Sequence, residues 1–134
     1  MSRKGKKPRY TDKNASLGNK DYFGTIFDGM LQHPQFKALT CGAKLFYCHC
    51  RVQAKSEHGR SCLYQHGKEF GRDYTDADFV FPASHLEKYG YDRSNASRYF
   101  KELEKAGFLI KKEKNQHMKK VNVYAFSDHW KNIG

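Results

Sequence analysis

Residues 92–107 constrain this chain more than any other segment, because their sequence specifies a helix at both ends. Asp92 is a good N-cap, since its carboxylate can accept from the free amides of the first turn, and Gly107 stands where a helix favours a left-handed residue at its end. At about 100° per residue, this helix has one apolar face and one face of hydroxyl groups and cations without an acid. The apolar face holds Ala96, Tyr99, Phe100 and Leu103, and the polar face holds Ser94, Ser97, Arg98 and Lys101.

The polar face has two interpretations. Hydroxyl groups and cations contact phosphates and base edges in the major groove of DNA, but an ordinary amphipathic helix with a solvated face shows the same pattern. The preceding residues favour the first interpretation. Residues 81–90 predict a short helix that starts near Pro82, ends at Gly90 and turns Leu86 and Tyr89 inward. A tight link then leads into the second helix, as in a helix-turn-helix, which places its second helix in the major groove.

A two-stranded hairpin is predicted after these helices, with strands over residues 108–114 and 121–126 and a polar loop over 115–120. In the second strand Val121, Val123 and Ala125 alternate with Asn122, Tyr124 and Phe126, as in a half-buried strand. The loop cations can contact phosphates beside the groove, although lysines at a hairpin tip also keep a sheet edge soluble. The loop candidates are His117, Lys119 and Lys120. Two helices and a hairpin in this order predict an α+β fold, a winged helix-turn-helix.

Charge also favours a polyanionic partner, because the formal net charge is +11. Residues 1–20 hold seven Lys and Arg against one Asp, which accounts for six of the eleven charges. With almost no apolar residue, this tail is predicted to be disordered. It has two interpretations: an arm that follows the DNA backbone or enters a minor groove, or a solubilising leader. The cations assigned to DNA contact are Arg3, Lys4, Lys6, Lys7 and Arg9.

The remaining chain, residues 21–134, is expected to form one domain. A short helix is predicted over 26–32, and a longer one follows the capping residue Thr40 and ends near Lys55. The longer helix has two apolar stripes and should therefore lie at the centre of the domain. The stripes are Cys41, Leu45, Cys48 and Val52, and Ala43, Phe46, Tyr47, Cys50 and Ala54. Residues 56–78 are interpreted as an irregular, partly ordered insertion with a short helix near residues 63–70.

Metal binding and catalysis have little support in the sequence. Cys48 and Cys50 would point about 160° apart on a helix, so their spacing fits no common zinc motif. We expect buried reduced thiols, no cofactor, and a cytoplasmic protein without a signal peptide or a membrane span. His85 is expected to face solvent. The enzymatic alternative is a nicking or hydrolytic accessory with a divalent ion on His58, His66, Asp73, Asp76 and Asp78.

Several segments carry a resemblance to a known family. Residues 94–110, SNASRYFKELEKAGFLI, resemble the winged-helix pattern. Residues 22–31, 34–40 and 43–47, with 124–131 near the end, are similar to the N-terminal domain of plasmid replication initiator A proteins and related winged-helix proteins of phages and integrative elements of Firmicutes.

This resemblance implies sequence-specific binding of double-stranded DNA, in replication initiation or transcriptional regulation. Other replication or mobile-element proteins are further candidate partners, and the oligomeric state stays open, with a homodimer as one candidate. The DNA-binding candidates on the second helix are Arg93, Ser94, Asn95, Ser97, Arg98 and Lys101. A winged helix can instead serve as a protein-binding module, because fold alone does not determine function. In that alternative the polar face would meet an acidic protein surface.

Overall fold

The computed structural model describes residues 15, 17, 21–113 and 122–132. In this part of the chain, helices dominate and a small antiparallel sheet accompanies them. The helices are α1 (Asp28–Gln32), α2 (Pro34–Lys37), α3 (Cys41–Lys55), α4 (Glu57–Phe70), α5 (Ala83–Lys88) and α6 (Arg93–Ala106), followed at the end by a 3-10 turn (His129–Asn132). The strands are β1 (Asp78–Val80), β2 (Leu109–Glu113) and β3 (Val123–Phe126), in the sheet order β1-β3-β2.

The structure confirms the α+β class. The basic tail with its five candidates, and the hairpin loop with His117, Lys119 and Lys120, lie outside the described residues. No helix in the described ranges has the length and apolar character needed to cross a membrane.

Helix α3 lies at the centre, as predicted, and Thr40 caps it by accepting from the Ala43 amide at 3.2 Å. Only one of its two apolar stripes is buried, however. Phe46 and Tyr47 carry the ring contacts of that stripe to α6 and to the residues that flank β1 and β2. The second stripe is less buried: Cys41 and Leu45 are exposed, Leu45 by 56%, and Cys48 and Val52 are half-buried. The neighbours of α3 thus pack mainly on the stripe of Phe46 and Tyr47.

The segment predicted as an irregular insertion, residues 56–78, is instead mostly regular, because it contains all of α4 and starts β1. Ser56 ends α3 and caps α4: its hydroxyl donates to the Gln53 carbonyl at 2.9 Å and accepts from the Gly59 amide at 3.0 Å. The short helix expected near residues 63–70 is the second half of this element. One buried serine thus turns the chain directly from one helix into the next.

The sheet is covered by helices on both faces. On one face the Tyr124 ring stacks on Phe100 of α6 with centroids 4.0 Å apart. On the other face Val80 and Val123 pack against Leu63 of α4. The half-buried alternation predicted for the second strand is wrong, because β3 is the central strand of the sheet and α4 covers its second face. Val123, Tyr124 and Ala125 are consequently all buried.

Candidate nucleic-acid interface

Helices α5 and α6 are joined by a short link that is fixed to α3. The Tyr91 amide donates to the Leu86 carbonyl at 3.1 Å, and the Tyr91 ring meets Phe46 edge to face at 4.9 Å. Its hydroxyl lies 2.6 Å from Nδ1 of His49. Burial, and then the nearby Cys50, Tyr99 and Cys48, raise the pKa of Tyr91 to about 12, so this hydroxyl stays neutral. Contacts with α3 therefore fix the link between α5 and α6 in place.

The ends of α6 agree with the sequence prediction. Asp92 accepts from the Asn95 amide at 2.8 Å, and Gly107 ends the helix with a φ of 90°. The Gly107 carbonyl also accepts from the Trp130 amide at 3.1 Å, and a Cβ at this glycine would lie 2.7 Å from that nitrogen. Glycine is required at residue 107 for its left-handed conformation and for this close approach.

The rotation of α6 about its axis also agrees with the prediction. Ala96, Phe100 and Leu103 are buried, and Tyr99 is half-buried with its ring 5.7 Å from that of Phe46. The opposite face is consequently exposed over its full length. Its side chains are Arg93, Ser94, Ser97, Arg98 and Lys101.

Two further contacts orient the exposed face. Arg98 donates from Nη2 to Oδ1 of the half-buried Asn95 at 2.8 Å, and its guanidinium carbon lies 5.5 Å from the Tyr99 ring centroid. Arginine has five N–H donors, so these contacts leave donors for a ligand. Asn95 and Tyr99 hold the guanidinium of Arg98 without neutralising its charge.

The acids of α6 point away from this face, as expected from their positions in the helical repeat. Glu102 accepts from the Thr40 amide at 2.7 Å and from its hydroxyl at 2.9 Å, at the start of α3. Glu104 is half-buried, with its Oε2 atom inside the protein. Between Arg93 and Lys101 the exposed face therefore carries three cations and no carboxylate, a charge distribution suited to a polyanion.

Carboxylates at the hairpin base serve as structural anchors. Glu113 accepts from the Tyr74 hydroxyl and from Nη1 of Arg72, both at 2.8 Å, and lies 3.3 Å from Nε2 of His66. Burial opposes ionisation of Glu113, but these hydrogen bonds outweigh it and lower its pKa. Asp78 is buried and pairs with Lys112 at 3.1 Å.

The residues of the enzymatic alternative do not converge. His66 is engaged at Glu113, Asp78 is engaged at Lys112, and the exposed Asp76 lies 3.9 Å from Nη2 of Arg60. Within residues 21–113 and 122–132, no group of three or more potential metal ligands comes together. The geometry gives these side chains roles in tying β1, β2 and α4 together.

His85 is half-buried and engaged by neighbouring side chains, which corrects the expectation that it faces solvent. Its Nδ1 atom lies 2.8 Å from Nε2 of Gln53, which also donates to the Val80 carbonyl at 3.0 Å. The His58 ring packs against it with centroids 4.7 Å apart. Burial is the largest cause that lowers the pKa of both imidazoles. Sequence reasoning missed this cluster because its members come from α3, α4 and α5.

The four cysteines are free thiols in different environments. Cys50 is fully buried, and burial raises its pKa well above the usual value. Cys48 and Cys62 are half-buried, and Cys41 is exposed. The expectation of buried thiols is thus correct for Cys50 and wrong for Cys41, which lies on the second, less buried stripe of α3.

Comparison with known proteins gives no relative: no protein-family profile matches the chain, and neither a curated protein nor a solved structure is significantly similar to it.

Proposed function

We propose that this protein is a winged helix-turn-helix that binds double-stranded DNA in a sequence-specific manner through α6. The proposed context is replication initiation or transcriptional regulation of a plasmid, phage or integrative element. The observation that carries the proposal is the exposed face of α6, which is basic, free of acids and backed by a buried apolar face.

The order of the elements supports this assignment. A central helix, α3, precedes β1, and then α5 and α6 follow one another through a four-residue link, residues 89–92, before β2 and β3 form the hairpin. In a helix-turn-helix the second helix enters the major groove with its N-terminal residues on base edges. That end of α6 carries Arg93, Ser94 and Ser97, all exposed.

Each side chain on this face has a contact suited to its chemistry. Arg98 can form a bidentate pair with O6 and N7 of a guanine, which is the commonest specific contact in the major groove. Lys101 lies one turn away from Ser97 and suits a phosphate. Asn95 positions Arg98 through the 2.8 Å hydrogen bond. The basic tail and the hairpin loop would add contacts with the backbone.

The double variant Arg98→Ala/Lys101→Ala tests the proposal after a preferred site has been selected from random duplex DNA. Both side chains are exposed, so folding should be preserved, as circular dichroism will check. Loss of a bidentate guanine contact alone costs about 1 to 3 kcal/mol, so affinity for the selected site should fall by at least fivefold.

A charge-matched control is Lys37→Ala/Lys55→Ala, which removes two exposed cations from α2 and α3. It should retain most of the affinity and all of the sequence preference. Equal affinity of the Arg98→Ala/Lys101→Ala variant and the parent for the selected site, at physiological salt, would refute DNA reading by α6. The alternative of an acidic protein partner for this face would then take its place.

A further inference from the structure

A cavity of about 420 Å³ lies between α4 and the segment that follows it, away from the exposed face of α6. Its volume falls in the range of roughly 300 to 1,000 Å³ that is typical of small-molecule sites. The residues with binding chemistry in its wall are Arg60, Tyr64, Lys68, Arg72 and Tyr74. None of them belongs to the DNA-binding proposal.

One wall of the cavity is backbone, at the point where the segment after α4 returns to Gly67. Gly67 accepts from the Arg72 amide at 2.8 Å, and a Cβ at Gly67 would lie 2.6 Å from the Arg72 carbonyl oxygen and 3.2 Å from the Tyr74 ring. Because residue 67 has no side chain, the returning segment packs directly on α4. Tyr74 is anchored by its 2.8 Å hydrogen bond to Glu113, so its ring is held in place.

Aromatic surface is available at this cavity. Tyr64 is 63% exposed, and the contact that the structure gives its ring is Lys68, with Nζ 5.7 Å from the centroid. An exposed tyrosine ring provides a face on which a nucleobase can stack, and stacking of this kind tolerates every base. Lys68, one helical turn further along α4, lies over one face of this ring, so a base would stack on the other face.

Three cations and the carboxylate of Asp73 lie in the cavity wall, and two of the cations also meet carboxylates outside it, Arg72 at Glu113 and Arg60 at Asp76, 3.9 Å away. Arg60 donates from Nη1 to the Asp78 carbonyl at 3.2 Å, and Arg72 donates from Nη1 to Glu113 at 2.8 Å while its side chain remains 53% exposed. These bonds fix both guanidinium groups and leave other N–H donors for an anion.

We propose that this cavity binds a nucleotide, with the base stacked on Tyr64 and the phosphate held by Lys68 and the two arginines. The site goes beyond the proposed duplex binding and does not depend on it. The same chemistry is offered by a free nucleotide and by one unit of single-stranded nucleic acid.

Binding of AMP and of a fluorescently labelled dT12 oligonucleotide to the full chain will test the site, with inorganic phosphate as a third probe. Tyr64→Ala should weaken AMP binding at least fivefold, as loss of a stacking platform does, and Lys68→Ala should also weaken it, through loss of a cation at the phosphate. Gln65→Ala, on an exposed neighbouring residue of α4, and Lys55→Ala, which removes one exposed cation elsewhere, are the matched controls and should leave AMP affinity unchanged.

Competition between AMP and dT12, with both weakened by Tyr64→Ala, would assign the site to single-stranded nucleic acid, and AMP binding alone would assign it to a free nucleotide. Absence of AMP and dT12 binding at millimolar concentration would overturn the proposal. So would binding insensitive to Tyr64→Ala, or phosphate binding as tight as that of AMP. The Arg98→Ala/Lys101→Ala variant should keep its AMP affinity, so failure of the duplex proposal and failure of this one are distinguishable.

Discussion

At the scale of single residues, Leu103 is the side chain on which the placement of α6 depends most directly. It is fully buried, in the same core cluster as Phe100 and Phe108. Leu103→Ala should lower the free energy of unfolding by about 2 to 5 kcal/mol, because the cavity left behind is only partly refilled. Urea denaturation measures the change. The exposed Lys101→Ala on the same helix is the control and should change stability by less than about 0.5 kcal/mol. Equal stability of Leu103→Ala and the parent would contradict the burial of this face.

The same residues show what a sequence can predict locally. Asp92 caps the helix through the Asn95 amide three positions away, Gly107 ends it through its own left-handed conformation, and the helical repeat alone separates Leu103 from Arg98. His85 was different, because its environment is set by Gln53, 32 residues earlier in the chain. The residues next to His85 in the sequence do not indicate this contact, so the partial burial of His85 could not be predicted.

At the scale of secondary-structure elements, α4 shows why a helix was interpreted as a loop. Gly59, Gly67 and Gly71 are spaced through this segment and are helix breakers on propensity alone. In the structure Gly59 faces the Gln53 carbonyl and Gly67 faces Arg72, so two of these glycines permit close packing inside a helix. Strand β1 has only three residues and pairs with β3, more than forty positions away. Neither fact is encoded in local periodicity.

The junction of α3, α4 and α5 predicts a pH dependence. Burial, and then the charge of Lys88, lower the pKa of His58; burial, His58 and Lys88 lower that of His85. An imidazole with a lowered pKa is neutral in both the folded and the unfolded state above its unfolded pKa of about 6.5, so it does not change the free energy of unfolding there. Below that pH the unfolded state binds the proton more readily, and the fold loses stability. The free energy of unfolding should therefore fall as the pH drops from about 7.5 to 5.

The double variant His58→Gln/His85→Gln should lose less stability over the same pH range, as urea denaturation at each pH will measure. Some dependence should remain, because burial also lowers the pKa of His49. Glu113 would contribute only at lower pH, since its pKa is lowered and its stabilisation is lost below the usual range of carboxyl groups. An identical loss of stability in the variant and the parent would show that this histidine pair is not the cause.

At the scale of the whole molecule, the two proposed sites are built on different elements of one fold. Helix α6 lies over one face of the sheet and α4 over the other. Strand β2 connects them: α6 packs against β2. Arg72 and Tyr74, which follow α4, bind Glu113 at the end of β2. The sequence predicts the α+β class and the helix pair with its hairpin, because those follow from local order. It does not predict the second helical layer, which depends on long-range packing of Leu63 against Val80 and Val123.

The distribution of charge over the whole chain leads to a last prediction, on how much the tail and the domain each contribute to DNA affinity and to sequence preference. Residues 1–18 contain six of the seven cations of the tail. Their removal leaves every side chain on the exposed face of α6 in place. Each phosphate contact contributes about 0.9 to the slope of log affinity against log salt on duplex DNA. Removal of residues 1–18 should therefore flatten that slope, by at most about 5 if every cation contacts a phosphate.

Sequence preference should survive the truncation if, as proposed, α6 reads the base edges and the tail follows the DNA backbone. Replacement of the six cations by serine in a tail of unchanged length is the control, and it should reproduce the flatter slope if charge is the cause. Titration of selected and scrambled duplexes at several salt concentrations measures both quantities together. Loss of preference with an unchanged slope would reverse the assignment, because the tail would then read the sequence and α6 would supply the nonspecific affinity.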